Sequence, residues 1–206
     1  MAISFTYATL KTAITSEVEE TGDEFDTFLD TIIALGETKV LKDLGLTIFN
    51  TVDTGAFTQN SPFLTRDDDV VGVEAFHYID GSGNRQELLP RSYSFCVDYW
   101  PKYTTYTATP KYYCAYSDTQ WMIVGVPSSA LSYEMRQIIR PTGLASGNTT
   151  TWLGTNAGDV LLWACLLEAE AFLLADERLP VWKEKYDMAL SSALVEFAAE
   201  RQSRYP

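Results

Sequence analysis

The sequence predicts an α+β fold, with helices near both ends of the chain and a β region in the middle. Apolar residues repeat with a helical period before residue 46 and again after residue 155, whereas Thr, Tyr, Phe and Val with frequent turn residues fill the segment between them. Because helices and strands are segregated rather than alternating, a doubly wound parallel sheet is disfavoured. We predict one α+β domain with a helical bundle (1–46 and 155–203), a β region (47–141) and a long loop (141–156).

The composition is that of a folded protein with a strong negative charge. Of the 206 residues, 46% are hydrophobic and 21% are charged, and the formal net charge is −13. Binding nucleic acid through phosphate contacts requires clustered Lys and Arg, so this charge argues against that function. The longest apolar run is too short to cross a membrane, and the three cysteines contain no C-x-x-C pair. We therefore expect no membrane association, no metal and no cofactor.

Two helices are predicted at the start of the chain, where they form a hairpin. The first runs from Tyr7 to about Glu20 with Thr6 as its N-cap. The second begins at Asp23 and ends at Gly45, and Gly is the residue preferred after the last helical turn. Its apolar positions, which repeat with a period near 3.6, are Phe25, Phe28, Leu29, Ile32, Ile33, Leu35, Val40, Leu41 and Leu44.

The middle of the sequence predicts strands. An alternating segment from Val70 to Tyr78 ends in the turn Asp80–Asn84, and three further strands, 112–116, 121–126 and 133–139, suggest an antiparallel meander. Aromatic residues are dense here, which indicates either a packed sheet face or a protein interface. They are Tyr99, Trp100, Tyr103, Tyr106, Tyr112, Tyr113 and Tyr116.

The last third combines a polar, Gly-rich loop with two helices. The loop, Pro141 to Asn156, is long enough to suggest a functional role. The helix from Val160 to Ala175 is apolar nearly all round, so we expect it to be buried on most of its circumference or covered by another subunit. Asp176 is the predicted N-cap of the final helix, whose apolar stripe is Leu179, Trp182, Tyr186, Ala189, Leu190, Ala193, Leu194 and Phe197. We expect Ile32 and Trp182 in the core of the bundle.

No catalytic site is predicted. His77 is the single histidine, and Ser94 and Ser132 lie in strand-like sequence without the Gly-x-Ser-x-Gly turn of a hydrolase nucleophile. Asp67–Asp69 could bind Ca²⁺ or Mg²⁺, but a solvated turn is favoured because consecutive carboxylates point in different directions. Two alternatives stay open: a small cytosolic metal-dependent hydrolase using these carboxylates with His77, and a module whose aromatic β region binds a peptide or sugar.

The segment from Arg140 to Leu190 resembles bacteriophage adaptor proteins, also called head-to-tail connector or tail accessory proteins. The resemblance is weaker towards the N-terminus, and Gly158 stands where the family pattern has Pro. The matching features, in chain order, are Thr6–Leu10, Phe28–Glu37, Pro110–Ala115, the Pro141 loop, Trp152-Leu153, Thr155-Asn156-Ala157, the helix ending at Leu167-Glu168-Ala169, and Asp176–Leu179 leading to Trp182 and Tyr186.

The resemblance implies a non-enzymatic component of the virion, assembled in the host cytoplasm as a dodecameric ring at the head-to-tail junction. The partners implied are other copies of the chain, the portal protein, and a tail nozzle or tail tube protein. Phage genomic DNA passes through the channel without specific binding. We predict portal contact at Phe197, Arg201, Arg204 and Tyr205, a tip that is basic and aromatic, and contacts between subunits or with the loop at Trp152, Leu153 and Trp163.

Overall fold

The computed structural model of the protein describes residues 3–19, 22–45, 49–102, 107–170, 173 and 177–204, the last six of them (199–204) without their side chains. Tyr103, Tyr106 and the predicted cap Asp176 lie outside the described residues.

The fold is α+β, as predicted. In chain order the elements are α1 (Tyr7–Val18), α2 (Asp23–Leu44), β1 (Asn50–Ala56), β2 (Phe63–Thr65), β3 (Val70–Ile79), β4 (Arg85–Glu87), β5 (Leu89–Pro90), α3 (Tyr93–Tyr99), β6 (Tyr112–Ser117), β7 (Gln120–Val124), β8 (Ser132–Ile139), α4 (Trp152–Asn156), α5 (Gly158–Ala169) and α6 (Leu179–Arg204).

The chain divides into two compact units. The helical unit consists of Met1–Ile48 together with Pro141–Pro206, and the β unit is the continuous segment Phe49–Arg140. The first two helices begin where the sequence predicts. Thr6 and Thr9 form a reciprocal capping box at the start of α1, with the Thr9 backbone N–H donating to Oγ1 of Thr6 at 3.3 Å.

The helical unit is organised around α5, which packs against α1, α2 and α6 of the same chain. Leu161, Cys165 and Leu166 are each 0% exposed. The sequence left open whether another subunit covers this apolar helix, and the structure shows that its own chain does. A Cβ atom on Gly36 of α2 would lie only 2.6 Å from Sγ of Cys165, so the absence of a side chain there allows the two helices to approach closely.

The two residues predicted in the core of the bundle are both buried: Ile32 is 0% exposed and Trp182 is 3% exposed. A second set of contacts fixes α1. The Arg178 guanidinium donates to the backbone carbonyls of Glu17 at 2.7 Å and Val18 at 3.1 Å, and so satisfies carbonyls that the end of an α-helix leaves without an intrahelical partner. The sequence before α6 is thereby fastened to the end of α1.

The β unit contains two four-stranded sheets, with strand orders β1-β8-β3-β4 and β2-β7-β6-β5. β6 and β7 form the predicted antiparallel hairpin. The predicted meander is wrong for the third strand, because β8 lies in the other sheet between β1 and β3. The physical reason is length: β8 pairs over seven residues with β1, while the free edge of β7 is taken by the three-residue strand β2.

A hydrophobic core fills the space between the two sheets, with Phe76 and Met135 from one sheet and Tyr113 and Ile123 from the other. A second cluster lies on the opposite face of β7, where Cys96 of α3 packs against Cys114, Met122 and Val124. Because both faces of β7 are covered, its four residues 121–124 are all buried. The sequence did not predict α3, and Ser94, which it placed in strand-like sequence, belongs to this helix.

Candidate interaction surfaces

A buried carboxylate holds the Gly-rich loop that precedes α4. Glu37 of α2 is 5% exposed, and its Oε2 accepts a hydrogen bond from the Leu144 backbone N–H at 2.9 Å. The Thr151 hydroxyl donates to the other carboxylate oxygen at 3.5 Å. Burial raises the pKa of Glu37, because the charged form loses hydration that these donors only partly replace. Glu37 was not among the residues predicted from the sequence, although its place in the apolar stripe of α2, between Ile33 and Val40, was a signal.

The loop has a defined conformation of its own. Ala145 and Asn148 exchange backbone hydrogen bonds of 3.0 Å, and the Asn148 side-chain amide donates to the carbonyls of Thr142 and Gly143. Exposed residues 145–147 form its tip. The predicted loop extended to Asn156, but residues 152–156 form α4, which Thr151 caps by accepting from the Gly154 backbone N–H at 3.1 Å.

The residues before α1 are also fixed to this region. The Phe5 backbone N–H donates to the Gly154 carbonyl at 2.7 Å. A Cβ atom on Gly158 would lie 2.3 Å from the carbonyl oxygen of Ile3. The glycine therefore leaves room for the N-terminal segment.

Four of the predicted contact residues pack within the helical unit. Leu153 is 2% exposed and Phe197 is 7% exposed, and the rings of Phe197 and Trp152 lie 5.0 Å apart. Trp163 is half-buried beneath Nζ of Lys185, which lies 4.3 Å from the ring centroid. Leu153 and Phe197 therefore have little surface left for a portal or a neighbouring subunit.

The remaining predicted contacts lie at the end of α6. Arg201 and Arg204 belong to its last residues, where the structure describes the backbone but not the side chains. Tyr205 lies outside the described residues.

Apolar side chains are exposed along the outer faces of two helices. On α6 the exposed fractions are 51% for Val181, 67% for Met188 and 72% for Val195, and each residue is seven positions from the next. On α2 they are 42% for Phe28 and 45% for Leu35, again seven positions apart. The helical period had assigned Phe28, Leu35 and Leu194 to the core, but Leu194 is 41% exposed and all three lie at the surface.

The β unit carries a different exposed surface, which we call the aromatic surface. Phe95 and Tyr99 of α3 stack with their ring centroids 5.6 Å apart, and both meet the ring of Tyr112 edge-on at 5.3 Å. The Arg91 guanidinium lies 5.6 Å from the Phe95 ring centroid. Aromatic residues and Arg are enriched at protein interfaces. The aromatic surface comprises Arg91, Tyr93, Phe95, Tyr99, Tyr112 and Tyr116.

The structure does not assemble the residues of the alternative hydrolase. Asp67–Asp69 are exposed just before β3, whereas His77 lies eight residues beyond Asp69 on that strand, opposite Glu87 and Glu134. At about 3.3 Å per residue this separation is roughly 26 Å. Among the residues that the structure describes, no group of three or more His, Cys, Asp or Glu could hold a metal ion.

The cysteines are placed as packing residues. Cys96, Cys114 and Cys165 are free and buried. Burial raises the pKa of Cys96 to about 12 and also raises that of Cys114, so the reactive thiolate form is scarce at neutral pH. Cys96 of α3 packs beside Cys114 of β6 in the same hydrophobic cluster. Within the described part of the chain, no helix is both long and apolar enough to span a membrane.

Comparison with known proteins gives one family. The model of the family described as SU10 adaptor protein matches residues 5–206, a range that includes both units. No curated protein matches the chain.

Proposed function

The chain belongs to the SU10 adaptor protein family of bacteriophages, and from this premise we propose that it joins the portal to the tail as a closed, dodecameric ring. A structural adaptor role as a component of the virion follows from the family itself. The ring, its stoichiometry, its assembly in the host cytoplasm and its position at the head-to-tail junction are the proposal. The observation that carries it is the family match over residues 5–206.

In this ring the subunits line the channel through which the genome passes. Each chain carries a formal charge of −13, and acidic groups facing a channel repel the DNA phosphates. Repulsion of this kind limits adhesion of DNA during passage, so the channel conducts DNA without binding it specifically.

We place the portal contact at the C-terminal end of α6, on Arg201, Arg204 and Tyr205. Arg and Tyr are residue types that dominate binding energy at protein interfaces, and here they stand on an otherwise acidic protein. Phe197 has another role in this arrangement, because its packing against Trp152 sets the position of the helix that carries the contact. The tip of the Gly-rich loop, residues 145–147, is the next candidate surface.

We assign the tail contact, to a nozzle or tube protein, to the aromatic surface of the β unit. Its exposed rings offer a large apolar area at little cost in side-chain entropy, and Arg91 adds donors for hydrogen bonds. Tyr93 is 52% exposed and Tyr99 is 46% exposed, so both rings are accessible in the single chain.

Native mass spectrometry and electron microscopy of the pure protein, with and without portal rings, test this function. We expect monomers or mixed oligomers at low salt without portal, because strong like charge opposes association, and closed rings on the portal. Failure of the protein to bind portal rings at any salt concentration would overturn the proposal.

A paired set of variants locates the portal contact. Changing Arg204 and Tyr205 together to Ala should abolish co-sedimentation with portal rings while leaving the thermal unfolding temperature nearly intact. Lys102→Ala, an exposed change in the β unit, serves as the matched control and should bind as the wild type does. Unchanged binding by the double variant would move the contact to the loop tip.

A further inference from the structure

We infer that neighbouring subunits contact each other through helices, with α2 of one subunit packing antiparallel along the outer face of α6 of the next. In this contact Leu35 and Phe28 of α2 insert between exposed side chains of α6. The inference rests on the proposed ring, and it names the two surfaces of each subunit that form it.

The outer face of α6 has the residue spacing that receives such side chains. A shallow depression on its surface is lined by Pro180, Lys183, Glu184, Asp187, Met188 and Ser191. The last four stand at positions i, i+3, i+4 and i+7, which is the arrangement of four residues that surrounds one inserted side chain in coiled-coil packing. One helical repeat further along, the same arrangement recurs in four exposed residues: Ser191, Leu194, Val195 and Ala198.

The exposed face of α2 has the complementary spacing. Leu35 and Phe28 are seven residues apart, as are the two four-residue sites on α6. At 1.5 Å per residue both intervals are about 10.5 Å. A seven-residue repeat on two straight helices fits a shallow crossing angle of about 20°. Leu35 therefore fits the site around Met188 when Phe28 fits the site around Val195.

The partner that covers these two helix faces is a second copy of the chain, because a closed ring needs two different surfaces on every subunit. The two helices offer them: α2 and α6 both pack against α5, and each presents exposed apolar side chains away from it. A stripe on one helix alone would favour a two-fold dimer, which cannot continue around a ring.

The relative direction of the helices follows from contacts within one subunit. Gly36 lies at Cys165, and Lys39 and Asp43 line a pocket with Glu168 further along α5, so α2 runs parallel to α5. Lys185 lies over Trp163, while Leu179 reaches the end of α5 in the same pocket, so α6 runs antiparallel to both. One step of a dodecameric ring, about 30°, turns a helix axis by no more than that angle. The neighbour's α6 is therefore antiparallel to α2.

Charge complementarity supports this alignment. With Leu35 opposite Met188, the antiparallel register brings position 201, an Arg in the sequence, next to the first turn of α2. That turn contains the three carboxylates Asp23, Glu24 and Asp26. Opposite charges thus meet at this end of the contact, which offsets part of the repulsion between two strongly acidic units.

Disulfide formation between two different single-site variants tests the register. Chains carrying Leu35→Cys and chains carrying Met188→Cys are mixed, assembled on portal rings and oxidised, and only a disulfide between subunits gives the mixed dimer. The native thiols are buried, so they do not compete. The matched control pairs Leu35→Cys with Val195→Cys, which is displaced by about 10 Å along the helix.

We expect the pair of positions 35 and 188 to cross-link at least about tenfold faster than the pair 35 and 195, and the pair 28 and 195 to cross-link as fast as 35 and 188. Equal rates for all three pairs, or no disulfide in rings that are visible by electron microscopy, would overturn the inference and leave the proposed ring intact. Absence of rings altogether would instead overturn the proposed function.

A second experiment tests that the contact joins two different surfaces. Leu35→Glu blocks only the α2 side and Met188→Glu blocks only the α6 side, so each variant alone should fail to form rings. A mixture retains one intact α2 face and one intact α6 face, and should give mixed dimers and nothing larger by native mass spectrometry at high salt. Rings from either variant alone, or a mixture that stays monomeric under conditions in which the wild type associates, would contradict the inference.

Discussion

The two units of this protein differ in how they distribute charge and exposed apolar surface. The helical unit holds 18 of the 28 acidic residues and 8 of the 15 basic ones, a net charge of −10, whereas the β unit has a net charge of −3. The exposed apolar side chains of the helical unit include rows with a seven-residue spacing along α2 and α6. Those of the β unit include a cluster of aromatic rings beside Arg91.

This difference indicates that the two units meet different kinds of partner. A strongly charged pair of helices binds best to a partner whose apolar residues have the same spacing, since charge repulsion disfavours any other alignment. A weakly charged aromatic surface tolerates less regular partners, because its rings supply area without a fixed repeat.

Removing a large core side chain from each unit should have the largest effect. Trp182→Ala in the helical unit and Phe76→Ala in the β unit should each lower the free energy of unfolding by roughly 3–5 kcal/mol, because both side chains are buried. Thiol labelling in mild denaturant separates the units. Trp182→Ala should expose Cys165 first, and Phe76→Ala should expose Cys96 and Cys114 first. Simultaneous labelling of all three thiols in both variants would show that the units unfold together.

Adding a methyl group to a close helix contact should have the next largest effect. Gly36→Ala places Cβ 2.6 Å from Sγ of Cys165 and should cost about 1–3 kcal/mol of stability through overpacking. In the β unit, Gly81→Ala has no atom within 4 Å of the new Cβ and serves as the control. A Gly36→Ala protein with the same urea midpoint as Gly81→Ala would mean that α2 and α5 separate easily.

The buried polar residues of the two units should respond differently to pH. Because burial raises the pKa of Glu37, the wild type has its full stability relative to Glu37→Gln below the unfolded pKa. That advantage is lost as pH rises through the folded pKa. The β unit buries an uncharged amide, Gln137, instead. Urea unfolding at pH 4 and pH 7 should therefore show a pH-dependent difference for Glu37→Gln and none for Gln137→Leu.

The smallest effects concern helix caps. Thr6→Ala at the start of α1 and Ser92→Ala at the start of α3 each remove a side-chain acceptor of a backbone N–H. Each should cost about 1 kcal/mol, and circular dichroism during thermal unfolding measures it. A larger loss for Thr6→Ala would indicate that the capping box also holds the N-terminal segment in place.

Local sequence patterns predicted the long helices well. α2 begins at Asp23 and ends before Gly45, as expected. Acidic residues at the start of a helix and a glycine after its end stabilise the helix termini through contacts within one turn, so a local sequence pattern reveals them. α3 was missed because its seven residues have the aromatic, β-branched composition of a strand, and only Ser92 marked its start. Short helices are stabilised by what they pack against, which no local pattern contains.

Nonlocal features were the hardest to predict. The apolar circumference of α5 indicated burial but not whether its own chain or another subunit supplied the cover. Periodicity likewise assigned Leu35 to the core. The apolar residues of α2 cover more of the helix surface than its own bundle can bury, so some of them stay exposed. Of the predicted contact residues, Leu153 and Phe197 proved to be buried, because a large apolar side chain can serve packing as well as binding.

The fastening of the N-terminal segment to residues 149–158 sets the order in which the protein can mature on the ribosome. The β unit is continuous in sequence and can fold as soon as it has emerged. Residues 3–45 emerge earlier, yet the backbone groups of Phe5 and Tyr7 find their partners on Gly154 and Thr149 only after the whole β unit has been synthesised. The apolar faces of α1 and α2 therefore stay exposed in the nascent chain until α5 has been synthesised.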